Sequence, residues 1–206
     1  IEKFLNNYNT IRYKEFTFFD QIRINFDYRD IWEHDRFHFL TKITKYFLIS
    51  YDFNSVNKAN EYILNFFNKY NYGYSLSWVD GLQLSIRVYS MSYFFFNCKQ
   101  ALTSLEKDNF LRILKLHEVA LKKQLEPFYE IQNNHIIGEL CGMITLNIIY
   151  GSENKIKKYY ELLIVKLKNI TYEDGLLYEG SMGYNRFVLD YLNFTFILLK
   201  QNKISI

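Results

Sequence analysis

The chain has 206 residues, 49% of them hydrophobic and 19% aromatic, and its 25 Lys and Arg against 22 Asp and Glu give a formal net charge of +3. This length suits one packed domain or at most two, and no stretch approaches the ~18 uncharged apolar residues of a membrane-spanning helix. The positive charges are scattered, and the densest run (Lys155, Lys157, Lys158) reads as a solvated helix face, so nothing calls for nucleic acid, while the mild basicity is compatible with an acidic polysaccharide.

Tyr and Phe number 19 each, against one Pro and eight Gly. A base composition rich in Phe, Tyr, Ile, Asn and Lys codons accounts for this load, and a Tyr-rich sugar-binding surface is the other reading. Cys98 and Cys141 are lone cysteines in apolar helical settings and read as buried thiols. No cluster has the spacing of a metal site, so neither metal nor cofactor is expected. The chain opens at Ile1 without a signal-peptide pattern, which reads as something removed upstream and leaves the compartment open.

The periodicity is helical almost throughout. Over residues 33–50, Phe37, Leu40, Phe47 and Tyr51 mark one face, with Ile43 and Thr44 between them. Asn54 and Ser55 offer an N-cap for a second helix carrying Ala59, Ile63, Phe66, Phe67 and Tyr70, which ends at the turn over 71–73. A third helix is expected from about Trp78 through Leu82, Ile86, Tyr89 and Tyr93. Thr103 and Glu106 form a capping box that opens a fourth, through Phe110, Ile113, Leu114 and His117. Helices five to seven fall near 134–150, 153–170 and 182–201, the fifth following an irregular stretch after Pro127. Asp174 and Gly175 mark a turn between the last two, flanked by stretches that can pair as a hairpin. No strand–helix alternation and no Pro/Ser linker is present. The expectation is a single all-α domain over 1–206, with about seven helices in hairpins that form either a bundle or an α/α toroid.

Three stretches break the apolar pattern with grouped polar residues. Asn133, Asn134 and His135 stand where a helix begins, with Glu139 one turn on; by itself, Asn134 reads as an N-cap and His135 as a hydrogen-bonded core residue. Asp174, Gly175, Tyr178, Glu179, Ser181 and Tyr184 lead from a turn into a helix. Trp78 and Arg87 lie on an otherwise apolar helix, where Arg87 alone reads as a surface or salt-bridged residue.

Together with Trp32, Glu33 and Arg36, these stretches resemble the heparinase II/III-like polysaccharide lyases. That family shows W-E-x-x-R, a Trp-led helix ending in Arg, N-N-H-x-x-x-E, and D-G-x-x-x-E-x-S-x-x-Y, in this order. The agreement in order and spacing covers residues 16–199. Gln83 stands where the family often has Glu, and Asn185 where it often has His. The family's C-terminal β-sandwich, which supplies further active-site residues including a His, has no counterpart in these residues.

The resemblance implies the helical, incomplete toroid domain of a lyase that cleaves uronic-acid-containing polysaccharide by β-elimination, with no cofactor. It implies a partner in the missing β domain and a periplasmic or secreted setting. In that chemistry the C5 proton leaves beside a carboxylate, and the dianion that develops must be stabilised. Asn134 and Asn133, at a helix start, would supply amide donors together with the positive end of the helix dipole. Carried over, Tyr184 is the proton donor, and His135 the base or carboxylate neutraliser. Arg87 and Arg186 are candidates to hold substrate carboxylates, Trp78 and Tyr178 to stack on sugar rings, and Glu139 and Glu179 to bind substrate. Two other readings stand beside this one. One is a non-catalytic helical module that binds acidic polysaccharide or serves in surface-glycan synthesis. The other is an α/α-toroid glycoside hydrolase using Glu139 and Glu179 as its carboxylate pair.

Overall fold

A computed structural model describes residues 29–73, 75–125 and 132–204. The start of the family-like region, residues 16–28, and the stretch after Pro127 lie outside the described residues. The protein is all-α. Eight α-helices are described: α1 Arg29–Asp35, α2 Phe39–Ser50, α3 Phe53–Lys69, α4 Gly81–Cys98, α5 Ser104–Leu125, α6 Asn134–Ile149, α7 Glu153–Ile170 and α8 Met182–Gln201. Seven of them match the expected helices, and the short α1 precedes α2. No strand occurs among the described residues, and none of the described helices is long and apolar enough to cross a membrane.

The chain divides into two compact units, Ile1–His117 and Glu118–Ile206, the division falling inside α5. In the first unit α4 is buried around most of its circumference, from Gly81 to Cys98, as expected of a helix apolar on every side. Helix α2 packs on it through Leu40, Thr44 and Phe47. Helix α3 buries Val56, Ala59, Asn60, Ile63, Phe66 and Phe67 at three-and-four spacing. Phe110 of α5 stacks on Phe94 and Phe95 of α4, with centroids 6.0 and 5.1 Å away.

Local chemistry sets the helix ends. Asp52, rather than Asn54 or Ser55, caps α3: its carboxylate accepts the Asn54 N–H at 3.0 Å and the Ser55 hydroxyl. A carboxylate accepts more strongly than an amide at a position facing the dipole's positive end. The capping box is formed, with the Thr103 N–H donating to Glu106 at 2.8 Å and the Glu106 N–H to the Thr103 hydroxyl at 3.3 Å. Trp78 belongs to a 3-10 turn, Leu76–Trp78, and α4 starts only after Asp80, whose side chain accepts the Gln83 N–H. Phe37 has φ +58 between α1 and α2; this left-handed residue breaks what the periodicity presented as one helix over 33–50.

In the second unit α6 is buried at Asn134 and from Ile136 through Ile148, and α7 and α8 both pack on it. Between α7 and α8 runs a short strap, residues 171–181. An antiparallel bridge pairs Thr171 with Leu177, and Gly175 turns the chain with φ +88, a conformation glycine adopts without strain. This is the expected hairpin, reduced to a single bridge.

Candidate functional site

The sequence-predicted residues fall in two places, one in each unit. In the second unit the start of α6 gathers three of them. Asn133 is the N-cap, its side-chain oxygen accepting the His135 and Ile136 N–H groups at 3.1 and 3.4 Å. That leaves Asn134 as the first helical residue instead of the cap. Its backbone N–H donates to Glu179 Oε1 at 3.2 Å and its amide Nδ2 to Glu179 Oε2 at 2.6 Å. A carboxylate is therefore held at both oxygens by one residue at a helix N-terminus, where the dipole favours negative charge. Asn134 is itself buried, which fixes the direction its amide points.

The strap that delivers Glu179 is also tied to α8, two residues before it. Asn185 Oδ1 accepts the Leu177 N–H at 3.0 Å. Asn185 thus has a structural task, accepting a backbone hydrogen bond with a neutral oxygen. Tyr184, in the first turn of α8, is 49% exposed, and Tyr178 on the strap is exposed as well, tilted against Tyr172 with centroids 4.3 Å apart. His135 is half-buried, Arg186 exposed, and Glu139 buried one helical turn after His135 on α6. No protein family, curated protein or solved structure matches the chain.

In the first unit, Trp78 and Arg87 are core residues, at 0% and 1% exposure. The Trp78 indole donates to the Tyr70 carbonyl at 2.9 Å. Arg87 Nε donates to His117 Nε2 at 2.9 Å and its NH2 group to the Ser77 carbonyl at 2.9 Å. Around the guanidinium stand Trp78, Phe67, Phe66 and Phe37, with ring centroids 5.0, 5.4, 5.9 and 6.0 Å from Cζ. This corrects the expectation for both residues: an enclosed Trp offers no face to a sugar, and an enclosed Arg no donor to a substrate carboxylate. Burial pulls the Arg87 pKa down to about 10, against the opposing charge of Asp35, so the cation persists at neutral pH.

His117 was legible only as an apolar-face position, yet it is the partner that orients Arg87. Its Nδ1 lies 2.8 Å from the Ile113 carbonyl and must carry the proton, leaving Nε2 to accept from Arg87. Burial, and then the charge of Arg87, hold His117 well below the usual imidazole range, in its neutral form.

The Trp32, Glu33 and Arg36 motif also has a structural account. The Trp32 indole donates to the Leu76 carbonyl at 3.2 Å, and Arg36 Nε donates to Gln83 Oε1 at 2.6 Å while pairing with Glu33. Gln83 provides the acceptor that a Glu would, without adding a second negative charge beside Glu33.

Neither unit groups His, Cys, Asp or Glu in a way that would hold a metal ion among the described residues. Both cysteines are buried thiols.

Proposed function

We propose that this chain is the helical part of a polysaccharide lyase that cleaves uronic-acid-containing polysaccharide by β-elimination, its hairpins curving into an incomplete toroid. The observation that carries the reading is the grip of Asn134 on the Glu179 carboxylate. That contact supports the reading because the start of α6 already holds one carboxylate with two donors. A substrate uronate displacing Glu179 would meet the same donors, and they would strengthen as charge builds on the carboxylate during C5 deprotonation. Tyr184, exposed at the start of the next helix, is the proton donor for the departing O4, and His135 the base or a second neutraliser. The facing wall of the cleft would come from a β domain. The exposed apolar side chains of α8, Met182, Leu189, Phe196 and Ile197, offer a surface for such packing.

A second reading follows from the same contact: because Glu179 already occupies Asn134, the chain would serve as a non-catalytic module that binds acidic polysaccharide. The test is to incubate the chain with heparin-like, alginate-like and chondroitin-like polymers and follow the absorbance of the C4=C5 double bond over hours, with binding measured by calorimetry. Slow formation of unsaturated ends above a Tyr184→Phe control supports the lyase. Binding without unsaturated product supports the module. New reducing ends without unsaturation would sink both in favour of hydrolysis.

A further inference from the structure

Within the first unit, apart from every residue of the proposed lyase site, three titratable side chains form a chain of hydrogen bonds that ends in solvent. Asp35, at 4% exposure, lies with Oδ1 3.3 Å from His34 Nδ1. His34 Nε2 lies 3.0 Å from the Tyr62 hydroxyl. A carboxylate can only accept, so His34 Nδ1 carries the proton, Nε2 is left as acceptor, and the Tyr62 O–H donates to it. The remaining Asp35 oxygen, Oδ2, is buried with no hydrogen-bond partner among the described residues. The outer members are open: the His34 side chain is 65% exposed and Tyr62 37%. Edge contacts of the Tyr62 ring with Phe37 and Phe39, at 6.0 and 5.2 Å, hold the ring in place.

A nucleophile within hydrogen-bond reach of a base, with the base oriented by a third group, is the arrangement that activates hydroxyl side chains. We propose that Tyr62 is a nucleophilic phenol, activated by His34 and Asp35, that accepts acyl groups from activated esters. In the step, Tyr62 Oη bonds to the acyl carbon and the bond from that carbon to the leaving oxygen breaks. The phenolic proton passes to His34 Nε2, from which it returns to the departing oxygen or to water. The charge of Asp35 stabilises the imidazolium that forms.

The titration tendencies fit a concerted transfer. Its hydrogen bond to Asp35 raises the His34 pKa, which makes the ring a better base. Burial, then the charge of Asp35, raises the Tyr62 pKa, so the phenol keeps its proton until attack. The site is independent of the lyase reading, since it shares no residue with it.

The experiment uses the whole chain and p-nitrophenyl acetate, with acetylation of each tyrosine followed by peptide mass spectrometry. Tyr62 should be acetylated at least about tenfold faster than Tyr46, Tyr51 and Tyr172, which are more exposed, at 54%, 65% and 56%. His34→Gln, at an exposed position, keeps a hydrogen-bond partner but no base, and should bring Tyr62 down to the rate of the others while circular dichroism stays unchanged. Tyr62→Phe should remove the fast phase of p-nitrophenolate release. A Tyr62 rate no greater than that of the other tyrosines, an unchanged rate in His34→Gln, or acetyl resting on His34 in place of Tyr62 would each overturn the proposal.

Discussion

Glu179 reaches back 45 residues along the chain to close on Asn134, placing one carboxylate oxygen on the backbone N–H and the other on the side-chain amide. The contact both fastens the strap and occupies the donors that a substrate carboxylate would use. Glu179→Gln keeps an acceptor but loses the charge and one of the two acceptor sites. Folding stability should fall by about 1 kcal/mol, because charge-assisted bonds at an exposed side chain are partly screened. Uronate oligomers should bind more tightly, by up to roughly tenfold, since the competing anion is gone. Calorimetric titration of both proteins decides it; weaker binding by the variant would mean that Glu179 positions Asn134 instead of competing with the ligand.

Tyr184→Phe removes the phenolic hydroxyl, and with it the proton to be donated, while keeping the ring. If elimination proceeds as proposed, formation of unsaturated product should drop by about 10²–10⁴-fold, with the binding of acidic oligosaccharide nearly unchanged. Asn134→Ala should cost a comparable factor of about 10²–10³, and it should weaken binding too, because the amide grips the ground-state carboxylate as well as the developing dianion. Full activity in Tyr184→Phe would remove that tyrosine from the mechanism.

The buried cation of the first unit gives a prediction about stability alone. Arg87→Met fits an apolar chain among Phe37, Phe66, Phe67 and Trp78 but leaves His117 Nε2 and the Ser77 carbonyl without the donors they have now. A loss of roughly 2–4 kcal/mol is expected from the stranded polar atoms and the unfilled volume. Arg87→Lys should recover little of it, since one ammonium cannot serve both acceptors in the planar geometry of the fork. The urea midpoint should shift while its slope stays constant.

Helix content and most helix positions were legible because three-and-four apolar spacing is dictated locally, as in Ala59, Ile63, Phe66 and Phe67 of α3. The capping box at Thr103 and Glu106 was legible for the same reason, since both partners lie within one turn. The break at Phe37 was not: an aromatic residue in a left-handed conformation carries no local signal, and tertiary packing of its ring against Phe66, 4.9 Å away, holds it there. The carboxylate position at α6 was readable as a helix start with amides, but not its occupant, because Glu179 arrives from 45 residues away. Arg87 was misread for a related reason. Its burial depends on His117, 30 residues on, and no periodicity reveals that an Arg and a His share one enclosed contact.

His117 makes the first unit's stability depend on pH in a direction that can be worked out. Its folded-state pKa lies well below the ordinary 6.5, chiefly through burial and then through Arg87, while in the unfolded chain it returns to about 6.5. Above that value both states hold a neutral ring and the residue contributes no pH dependence. Below it the unfolded state takes up a proton that the folded state refuses, so stability falls as the pH drops, by up to about 1.4 kcal/mol per pH unit. His38, whose pKa burial also lowers, acts in the same sense. His34, raised by Asp35, acts oppositely: its contribution is fully present below the unfolded value and is lost as the pH rises through its folded value. The wild-type curve therefore mixes signs, and a variant is needed to isolate His117. In His117→Gln the amide N–H can donate to the Ile113 carbonyl and the amide oxygen accept from Arg87, but nothing can be protonated. At pH 8 this variant should be less stable by about 1–3 kcal/mol, because the ring contacts with Trp78 and Phe67, at 4.8 and 5.4 Å, are lost. As the pH is lowered from about 7 to 5 the gap should close, since only the wild-type pays for keeping its imidazole neutral. Urea unfolding of both proteins across that range measures the difference directly. Parallel curves would show that His117 is not held neutral, and the hydrogen-bond directions assigned to the Arg87 pair would then be wrong.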